Sequence, residues 1–390
     1  MNSKILGDCY SYINSNFKLP EFLIYNSIDI RQAAFKSAPV DNNIFPAGFN
    51  NIGSDAHKLF TEKLKVSFAQ KHIQTVILLC EDHTRNGGYL KNVQILYNAI
   101  TNAGAKCEIS TLSLEEHDAE IDGTIFSVGE SIVFDGKLCT KNTPKPDAII
   151  INNDLSGTIP ENEKLKALIS MEDAGVFVMP SAKMGWNNRK KSSHFVAYQA
   201  LVEGVASAVN FDPWLINAEF STAQCLDFSN KNELIKLADS TSDLFKKIKV
   251  KYKEYKIGSQ PAVFLKSESG TYGLGVEKVS DPQDLLNPNR TFRKKILYNK
   301  SKTPNTQFLL QEGVPTMVSQ NGATAECTTY SSFGEIFGGF YRIHKDKTPM
   351  DNLNSKGAEF AQLEQNIAHE PSVLNLIAKL SAIAVTMEIF

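Results

Sequence analysis

A loop with three glycines lies between two strand-like segments and limits the folds that the chain can adopt. Residues 261–279 read PAVFLKSESGTYGLGVEKV, with Lys266 at the end of the first strand and Gly270, Gly273 and Gly275 in the loop. A dinucleotide-binding fold needs G-x-G-x-x-G between a strand and a helix, and a P-loop needs G-x-x-x-x-G-K-S/T. The spacing here is G-x-x-G-x-G between two strands, so it fits neither pattern.

Such a loop is suited to binding phosphate. Glycines let backbone N–H groups approach phosphate oxygens, and Lys266 adds a positive charge from the adjoining strand. We therefore predict that residues 266–275 cover the phosphates of ATP. The alternative is a β-hairpin without a ligand, because short glycine motifs also arise by chance. The neighbouring segments decide between the two.

The strand QFLLQEGVP at residues 307–315 supplies groups that suit the rest of a nucleotide. Its polar end can offer backbone donors and acceptors to an adenine and a carboxylate to a ribose. The candidate residues are Gln311, Glu312 and Val314. Upstream, Lys191 stands in a basic turn that opens a predicted helix, and the N-terminal amides of a helix favour anions. Taken alone, a polar strand end and a solvated basic turn are the simpler interpretations.

Carboxylates and amides in the last third of the chain predict a metal site beside the nucleotide. Magnesium takes oxygen ligands and shares them with nucleotide phosphates. The candidate ligands are Glu326, Asp351, Asn352 and Asn354, and Arg342 lies between the first of them and the other three. A turn is the alternative for the DNLN segment, because Asp and Asn are favoured in turns.

The first half of the chain shows the alternation of an α/β domain. Helix-like spacing at residues 55–71 is followed by the apolar strand TVILLC, and a helix at 89–103 is followed by further strands that include DAIIINN. Open α/β sheets bind ligands at the carboxyl ends of their strands, so residues 81–86 and 152–157 are candidate site loops.

Residues 29–51 combine charged and amide groups with prolines and phenylalanines. Rigid turns that carry several polar groups can bind a zwitterion, since an arginine pairs with an α-carboxylate and an aspartate with an α-ammonium. The candidate residues are Asp29, Arg31, Lys36, Asp41 and Asn43. A surface loop with incidental charge is the alternative.

Composition argues against several partners and compartments. The chain has 41 Lys and Arg against 43 Asp and Glu, and the net charge of -2 provides no positive field for nucleic acid or an anionic membrane. No stretch of about 18 apolar residues is present, and the N-terminus lacks the apolar core of a signal peptide. The six cysteines stand singly, which is typical of reduced thiols. We expect a cytoplasmic protein that binds small molecules, with no nucleic acid and no membrane among its partners.

Taken in order, these segments resemble the ATP-grasp superfamily of carboxylate–amine ligases. Within it, the chain closely resembles the proteobacterial type of glutamate–cysteine ligase over nearly its whole length. The segments that carry the resemblance are DIRQAAFKSAPVDNNIFPAGFNN, EDHTRN, NNDLSG, MGWNNRKKSSHF, DPWLIN, FLKSESGTYGLGV, QEGVPT and GGFYRIHKDKTPMDNLNSKG. The family's loop typically reads Ala-Asp-Ala-Gly-Thr-Tyr-Gly-Met-Gly. This chain departs from it at Ser267, Glu268, Ser269 and Leu274, which leaves the role of Glu268 open.

The resemblance implies an α/β (α+β) chain with an ATP-grasp fold and an N-terminal α/β substrate domain. We expect the substrate domain at residues 1–185 and the ATP-grasp region at 186–390, with a glycine-loop subdomain at about 251–305. The implied cofactors are ATP and Mg²⁺, with Mn²⁺ as the alternative metal. The implied partners are glutamate, cysteine and ATP, and assembly into a homo-oligomer is left open.

The implied reaction joins glutamate to cysteine. The γ-carboxylate of glutamate attacks the γ-phosphoryl group of ATP, and the amine of cysteine then displaces phosphate from the acyl phosphate. The implied catalytic residues are Lys266 and Arg342. The implied nucleotide contacts are Lys191, Lys266, Ser269, Gly270, Thr271, Tyr272, Gly273, Gly275, Gln311, Glu312 and Val314. The implied amino-acid contacts are Asp29, Arg31, Lys36, Asp41, Asn43, Asn50, Arg85 and Asn86.

Two other functions remain open. Another ATP-grasp ligase, acting on a different acid and amine, would share the nucleotide-binding half. A non-catalytic ATP-binding regulator would keep Lys266 and the glycine loop but lose the metal ligands. A nicotinamide enzyme is disfavoured, because the glycine spacing differs from the dinucleotide-binding pattern.

Overall fold

The computed structural model describes residues 1–82, 86–121, 123–269, 275–297, 305–363 and 372–388. Five of the predicted site residues lie outside these described ranges. They are Arg85, Gly270, Thr271, Tyr272 and Gly273.

The described helices and strands alternate along most of the chain. The helices are α1 (Ser3–Asn16), α2 (Ser54–Lys71), α3 (Gly87–Asn102), α4 (Glu163–Asp173), α5 (Lys191–Val209), α6 (Lys231–Glu254), α7 (Arg290–Leu297) and α8 (Val373–Val385). The strands are β1 (Asn26–Gln32), β2 (Ser37–Asn43), β3 (Thr75–Cys80), β4 (Lys106–Thr111), β5 (His117–Ile121), β6 (Thr124–Glu130), β7 (Ile132–Phe134), β8 (Lys137–Cys139), β9 (Ala148–Asn152), β10 (Phe177–Met179), β11 (Phe220–Gln224), β12 (Val263–Ser267), β13 (Val276–Val279), β14 (Gln307–Glu312), β15 (Ser319–Gln320), β16 (Ala323–Ser332), β17 (Glu335–His344) and β18 (Glu359–Gln362). None of these helices is long and apolar enough to cross a membrane.

The N-terminal half contains a six-stranded sheet with the order β10-β9-β3-β4-β6-β5. Its first five strands are parallel, and β5 runs antiparallel to β6. The apolar segments TVILLC and AIIIN form β3 and β9, which are buried along almost their whole length, as strands covered on both faces are. The carboxyl ends of β3 and β9 lie side by side, and Asn153 Nδ2 donates to Cys80 O at 3.0 Å.

A second, antiparallel sheet joins strands from both ends of the chain. Its order is β18-β17-β16-β1-β2, with β15 paired to β16. Glu326 lies opposite Arg342, and Asp29 lies opposite both Thr328 and Asp41. Because paired residues and every second residue share a face of a sheet, this register brings three carboxylates and an arginine to one face.

Strands β1 and β2 belong to the predicted substrate domain, yet β1 pairs with β16 of the predicted ATP-grasp region on one side and with β2 on the other. The division at residues 185 and 186 stays a prediction. Helices α1, α5 and α8 pack in one apolar core with Ile28 and Ile30 of β1. This helical layer positions the start of α5, and with it Lys191, beside the second sheet.

A third sheet carries the glycine loop. Its order is β11-β14-β12-β13, and every pair is antiparallel. Helix α6 packs in the same apolar core as Leu265 of β12. Because side chains alternate along a strand, Lys266 lies on the opposite face, as does Phe264, which is paired with Gln311 of β14. That face borders the second sheet.

Candidate active site

Two adjoining cavities lie among the second sheet, the third sheet and the start of helix α5. The first cavity brings most of the predicted site residues together from distant parts of the sequence. The predicted residues in its wall are Asp29, Arg31, Asp41, Lys191, Lys266, Gln311, Glu312, Val314, Glu326, Arg342, Asn352 and Asn354. Val40, Phe264 and Val276 complete the wall.

Lys191 and Lys266 place two ammonium groups in the wall of the first cavity. Lys191 Nζ lies 2.9 Å from Asp41 Oδ1. Lys266 Nζ donates to Val40 O and to Gln311 Oε1, both at 2.7 Å. Burial lowers the pKa of Lys266 to about 8, although the Asp41 carboxylate raises it. Burial would raise the pKa of Asp41, but the two lysines hold it below its usual value. The two ammonium groups therefore share one carboxylate and form a cationic wall.

A buried network of charges stands opposite on the second sheet. Glu326 contacts Arg31 Nε and Arg342 Nη1, each at 2.5 Å. Arg342 Nη1 also lies 2.9 Å from Asp29 Oδ2. Burial would raise the pKa of Glu326, but the two arginines hold it below its usual value. Burial opposes the charge of Arg342, but Asp29 and Glu326 raise its pKa above the ordinary value. Glu326 and Arg342 are therefore both charged, and the carboxylates of Asp29 and Glu326 fix the orientation of Arg342.

Glu312 and Gln311 supply polar atoms that no described group contacts. Glu312 Oε2 accepts from Lys36 Nζ at 2.8 Å, Trp214 Nε1 at 3.1 Å and Glu219 N at 2.9 Å. Glu312 Oε1 and Gln311 Nε2 are buried and have no hydrogen-bond partner within the described ranges. Buried polar atoms normally have partners. Because both side chains line the first cavity, these two atoms are suited to meet a ligand there.

The two ends of the glycine loop are fixed to each other and to helix α5. Ser267 N donates to Gly275 O at 2.8 Å. Gly275 has a φ of +68°, and a Cβ there would lie 2.9 Å from Ser267 Cβ, so this position requires glycine. Glu268 Oε2 accepts from Ser192 N at 2.9 Å in the first turn of α5, where a carboxylate also suits the helix dipole. Glu268 thus ties the loop to the helix that begins at Lys191.

The predicted metal ligands divide into two sets. Glu326, Asn352 and Asn354 line the first cavity. Asp351 lines neither cavity, because its carboxylate pairs with Lys278 Nζ at 2.7 Å. Burial would raise the pKa of Asp351, but its hydrogen bond to Lys278 helps hold it at about 2. In the described part of the chain, no three His, Cys, Asp or Glu side chains gather around a metal-sized space. One carboxylate and two amides fit an ion that takes its other oxygens from nucleotide phosphates.

The second cavity adjoins the first and shares Asp29, Asp41, Arg342 and Asn354 with it. The predicted residue Asn43 also lines it. Its wall contains further polar residues that the sequence alone did not single out: Ser27, Asn51, Glu81, Asn152, Asp154 and Thr328. Ala47, Gly48 and six aromatic residues complete it: Phe45, Tyr89, Trp186, Tyr330, Phe340 and Phe360. The strand pattern marked the loops after β3 and β9, but it did not indicate which side chains in them point into a cavity.

Hydrogen bonds hold those two loops against each other. Tyr89 OH donates to Asn152 O at 2.7 Å and accepts from Glu81 N at 2.8 Å. Asp154 N donates to Glu81 Oε1 at 2.9 Å. These bonds fix the carboxylate of Glu81, and Ser156 N and Oγ donate to Asp154 Oδ1 at 2.9 and 2.6 Å, so both carboxylates are held at neighbouring strand ends of the first sheet.

Two predicted amino-acid contacts are engaged by the protein itself. The terminal nitrogens of Arg31 donate to the carbonyl oxygens of Pro349 and Asp351, both at 2.8 Å, while its Nε faces Glu326. Lys36 lines neither cavity, because its ammonium is buried against Glu312. Both residues therefore orient other side chains in this structure.

Three further predicted residues lie at the edges of the site. Asn50 is exposed and donates to Asn51 Oδ1 at 3.2 Å. Asn86 caps helix α3 by accepting from Tyr89 N at 3.2 Å. Ser269 O accepts from Ser267 Oγ at 2.6 Å at the start of the glycine loop. None of the three lines either cavity.

The mixed α/β fold and the cation-lined cavity beside the glycine loop are typical of an ATP-dependent ligase. The chain belongs to the glutamate–cysteine ligase family, whose family model matches residues 4–389. The match covers every described strand and both cavities.

One solved structure supports the same conclusion. The putative gamma-glutamylcysteine synthetase from Methylobacillus flagellatus KT has a TM-score of 0.83 and 31% sequence identity, over 99% of this chain and 92% of that one. D-alanyl-alanine synthetase A from Vibrio cholerae O1 biovar eltor has a TM-score of 0.33 and 12% identity over 74% of each chain, which is too low to carry an argument. No protein with a curated description matches the chain. The family match and the first structure confirm the predicted family, the mixed α/β fold class and the ligase function.

Proposed function

We propose that ATP binds in the first cavity and the amino acids in the second, where the γ-carboxylate of glutamate is joined to the amine of cysteine. The observation that carries this proposal is the shared wall, formed by Asp29, Asp41, Arg342 and Asn354. At this shared wall, a substrate carboxylate bound in the second cavity can contact a phosphoryl group bound in the first. Holding two reactants in position removes much of the entropic cost of their reaction.

The nucleotide contacts follow from the charges and the unpaired atoms of the first cavity. Lys191 and Lys266 neutralise the phosphates. The phosphate contacts predicted for residues 270–273 lie outside the described residues. Gln311 Nε2 and Glu312 Oε1 receive the nucleoside, because both are buried without a described partner. Phosphoryl transfer needs alignment and charge neutralisation more than covalent help from the protein, so no protein nucleophile is assigned.

Arg342 is the residue that we assign to the transfer itself. It borders both cavities, and Asp29 and Glu326 hold its guanidinium from two sides. In this position it neutralises the charge that develops as a γ-carboxylate oxygen bonds to the γ-phosphorus and the bond to ADP breaks. The unprotonated amine of cysteine then bonds to the acyl carbon, phosphate leaves, and the nitrogen releases a proton.

We propose Mg²⁺ as the divalent ion, with Mn²⁺ as the substitute. Glu326, Asn352 and Asn354 would hold it, because they bring a carboxylate and two amides to the first cavity. When bound, the ion supplies positive charge to the phosphate oxygens. Because Arg31 and Arg342 contact the two oxygens of Glu326, this carboxylate would exchange one arginine contact for the ion. Asp351 is left out of this set, since it lines neither cavity.

The amino-acid contacts are proposed from the second cavity. Its carboxylates suit the α-ammonium groups of the substrates, and we add Glu81 and Asp154 to the predicted Asp29 and Asp41. Asn43 remains a proposed contact. Arg31, Lys36, Asn50 and Asn86 are not carried forward, because the structure engages them elsewhere or leaves them outside the wall.

We also propose a cytoplasmic location. All six cysteines are free, which fits a reducing compartment. Assembly into a homo-oligomer stays a prediction.

The proposal is tested by phosphate release from ATP with magnesium, in the presence of glutamate alone, cysteine alone or both. We expect rapid release only with both, and γ-glutamylcysteine as the product by mass spectrometry. Hydroxylamine in place of cysteine should yield glutamyl hydroxamate, which reports the acyl phosphate. Turnover that required a different acid and amine would point to another ligase, and nucleotide binding without turnover would point to a regulator.

A further inference from the structure

Behind the first cavity, three residues that the reaction described above does not use form a largely buried cluster around Glu312. It consists of Phe35 and Lys36 from the turn between β1 and β2, Trp214 from the segment before β11, and Glu312 at the end of β14. Phe35 stacks on Trp214 with ring centroids 5.7 Å apart and planes at 5°. Lys36 Nζ lies 3.9 Å from the centre of the Trp214 ring. The turn between β1 and β2 of the second sheet thus packs against the third sheet, where Lys36 contacts the carboxylate of Glu312.

The cluster holds the two oxygens of Glu312 in different ways. Lys36 Nζ, Trp214 Nε1 and the amide of Glu219 all donate to Oε2, at 2.8, 3.1 and 2.9 Å. Oε1 is buried and receives no donor from the described residues. The side chains of Lys36 and Glu312 are both 0% exposed. Three donors on one oxygen fix the rotation of the carboxylate, and the other oxygen is left as an acceptor in the cavity wall.

The fully buried Lys36–Glu312 ion pair is expected to contribute little net stability to the fold. Desolvating both charges offsets most of their attraction, and apolar residues of similar volume often serve as well. Burial lowers the pKa of Lys36 to about 8, against the attraction of Glu312, so its ammonium remains charged at neutral pH. We therefore explain the burial of this ion pair by its effect on Glu312, whose carboxylate it holds in one orientation.

We propose that Lys36 and Trp214 are positioning residues that aim Glu312 Oε1 at a ribose hydroxyl of ATP, and so set the preference of the enzyme for ribonucleotides. The inference rests on the proposed placement of ATP in the first cavity. A hydroxyl that donates to a fixed, buried carboxylate forms a charge-assisted hydrogen bond, which is stronger than a neutral one. A nucleotide lacking that hydroxyl leaves Oε1 buried and unpaired.

The test compares ATP with 2′-deoxyATP and 3′-deoxyATP, by steady-state kinetics and by calorimetric affinity without the amino acids. We expect the wild type to prefer ATP over one deoxy form by about 10- to 100-fold. Trp214→Phe keeps the stack on Phe35 but removes the Nε1 donor, and Lys36→Met removes the ammonium. Both should raise the KM for ATP, leave kcat within about threefold, and reduce the preference.

Two further variants separate a positioning role from a general loss of structure. In a Glu312→Gln background, Lys36→Met and Trp214→Phe should cause no further loss of ribose preference, because the aimed oxygen is already changed. Lys251→Met is the matched control, since it breaks a pair with Asp212 (2.8 Å) in the same part of the chain without touching Glu312. It should leave the preference unchanged.

The outcomes distinguish this inference from the proposed function. Wild-type ribose preference in folded Lys36→Met and Trp214→Phe proteins overturns the inference while the ligase reaction stands. If Lys36→Met does not fold, Trp214→Phe alone decides. Equal affinity of the wild type for ATP and both deoxy forms also overturns it. Failure of the proposed function would appear separately, as phosphate release that does not depend on glutamate and cysteine.

Discussion

Replacing Lys266 with methionine should weaken ATP binding and change the pH dependence of stability in a defined direction. Lys266 is 8% exposed, and its ammonium donates to Val40 O and Gln311 Oε1 while facing the first cavity. Methionine has a similar length and no charge. The substitution therefore removes the ammonium with little change in packing volume.

The effect on ATP follows from the loss of a charged hydrogen-bond donor to phosphate. Such contacts contribute about 1.5–3 kcal/mol, so the KM for ATP should rise about 10- to 100-fold. A loss of alignment would lower kcat as well. The KM for glutamate and for cysteine should change much less, because Lys266 does not line the second cavity.

The effect on stability follows from the burial of the same ammonium. Burial lowers the pKa of Lys266 from 10.5 to about 8, a difference that corresponds to about 3 kcal/mol. Below pH 8 the lysine is charged in both the folded and the unfolded chain, so the folded chain bears the full free-energy cost of burying the ammonium. Between pH 8 and 10.5 the unfolded chain binds more protons, so the wild type gains stability relative to Lys266→Met as the pH rises. The gain should be about 1.4 kcal/mol for each pH unit.

Chemical unfolding of both proteins at several pH values between 7 and 10.5 measures this difference directly. Taking the difference cancels the other groups that titrate in the same range. Lys345→Met is the control, because it removes an exposed lysine paired with Glu359 and should change neither the KM nor the slope. A difference in unfolding free energy that stays constant with pH would show that burial does not lower the pKa of Lys266. An unchanged KM for ATP would refute the phosphate contact.

Two further substitutions test the charge network and the packing around the site. Arg342→Lys should lower kcat at least about 100-fold, with a smaller change in the KM for ATP. The reason is that lysine lacks the planar guanidinium with which arginine contacts both Asp29 and Glu326. An unchanged kcat would show that Arg342 does not act in the transfer step. Glu388→Gln should lower the free energy of unfolding by about 3–5 kcal/mol, because the substitution leaves the buried Arg189, which pairs with the Glu388 carboxylate at 2.6 Å, without a charged partner. Urea unfolding measures the change, and a loss below about 1 kcal/mol would contradict the prediction.

Local patterns in the sequence were sufficient to select several groups that line the first cavity. Lys266, Gln311 and Glu312 stand at the ends of apolar strands, and strand ends bordered by glycine are recognisable without tertiary information. Arg342 was selected from its place before the DNLN segment. The side chains of the second cavity were harder to select. Glu81 and Asp154 lie in loops that the strand pattern marked, but whether a loop side chain points inward depends on bonds such as that from Asp154 N to Glu81 Oε1.

Charge alone did not reveal how Arg31 and Lys36 are used. Both stand in the polar N-terminal block, where either was a reasonable contact for a substrate carboxylate. The structure buries Lys36 against Glu312 and directs Arg31 to Glu326 and two backbone carbonyls. An ammonium or guanidinium can serve a ligand or the protein itself, and only its neighbours in space decide which.

Residue spacing alone predicts the local elements and their chemistry: the glycine loop between two strands, the α/β alternation and the polar ends of the strands. These depend on residue spacing within one element, which periodicity reports directly. Residue spacing does not predict that β1 lies beside β16, where Asp29 accepts from Thr328 Oγ1 at 2.7 Å across 299 positions of chain. Pairing at that distance depends on how whole sheets and helices pack. The cavity walls, built from both ends of the chain, are a product of that packing.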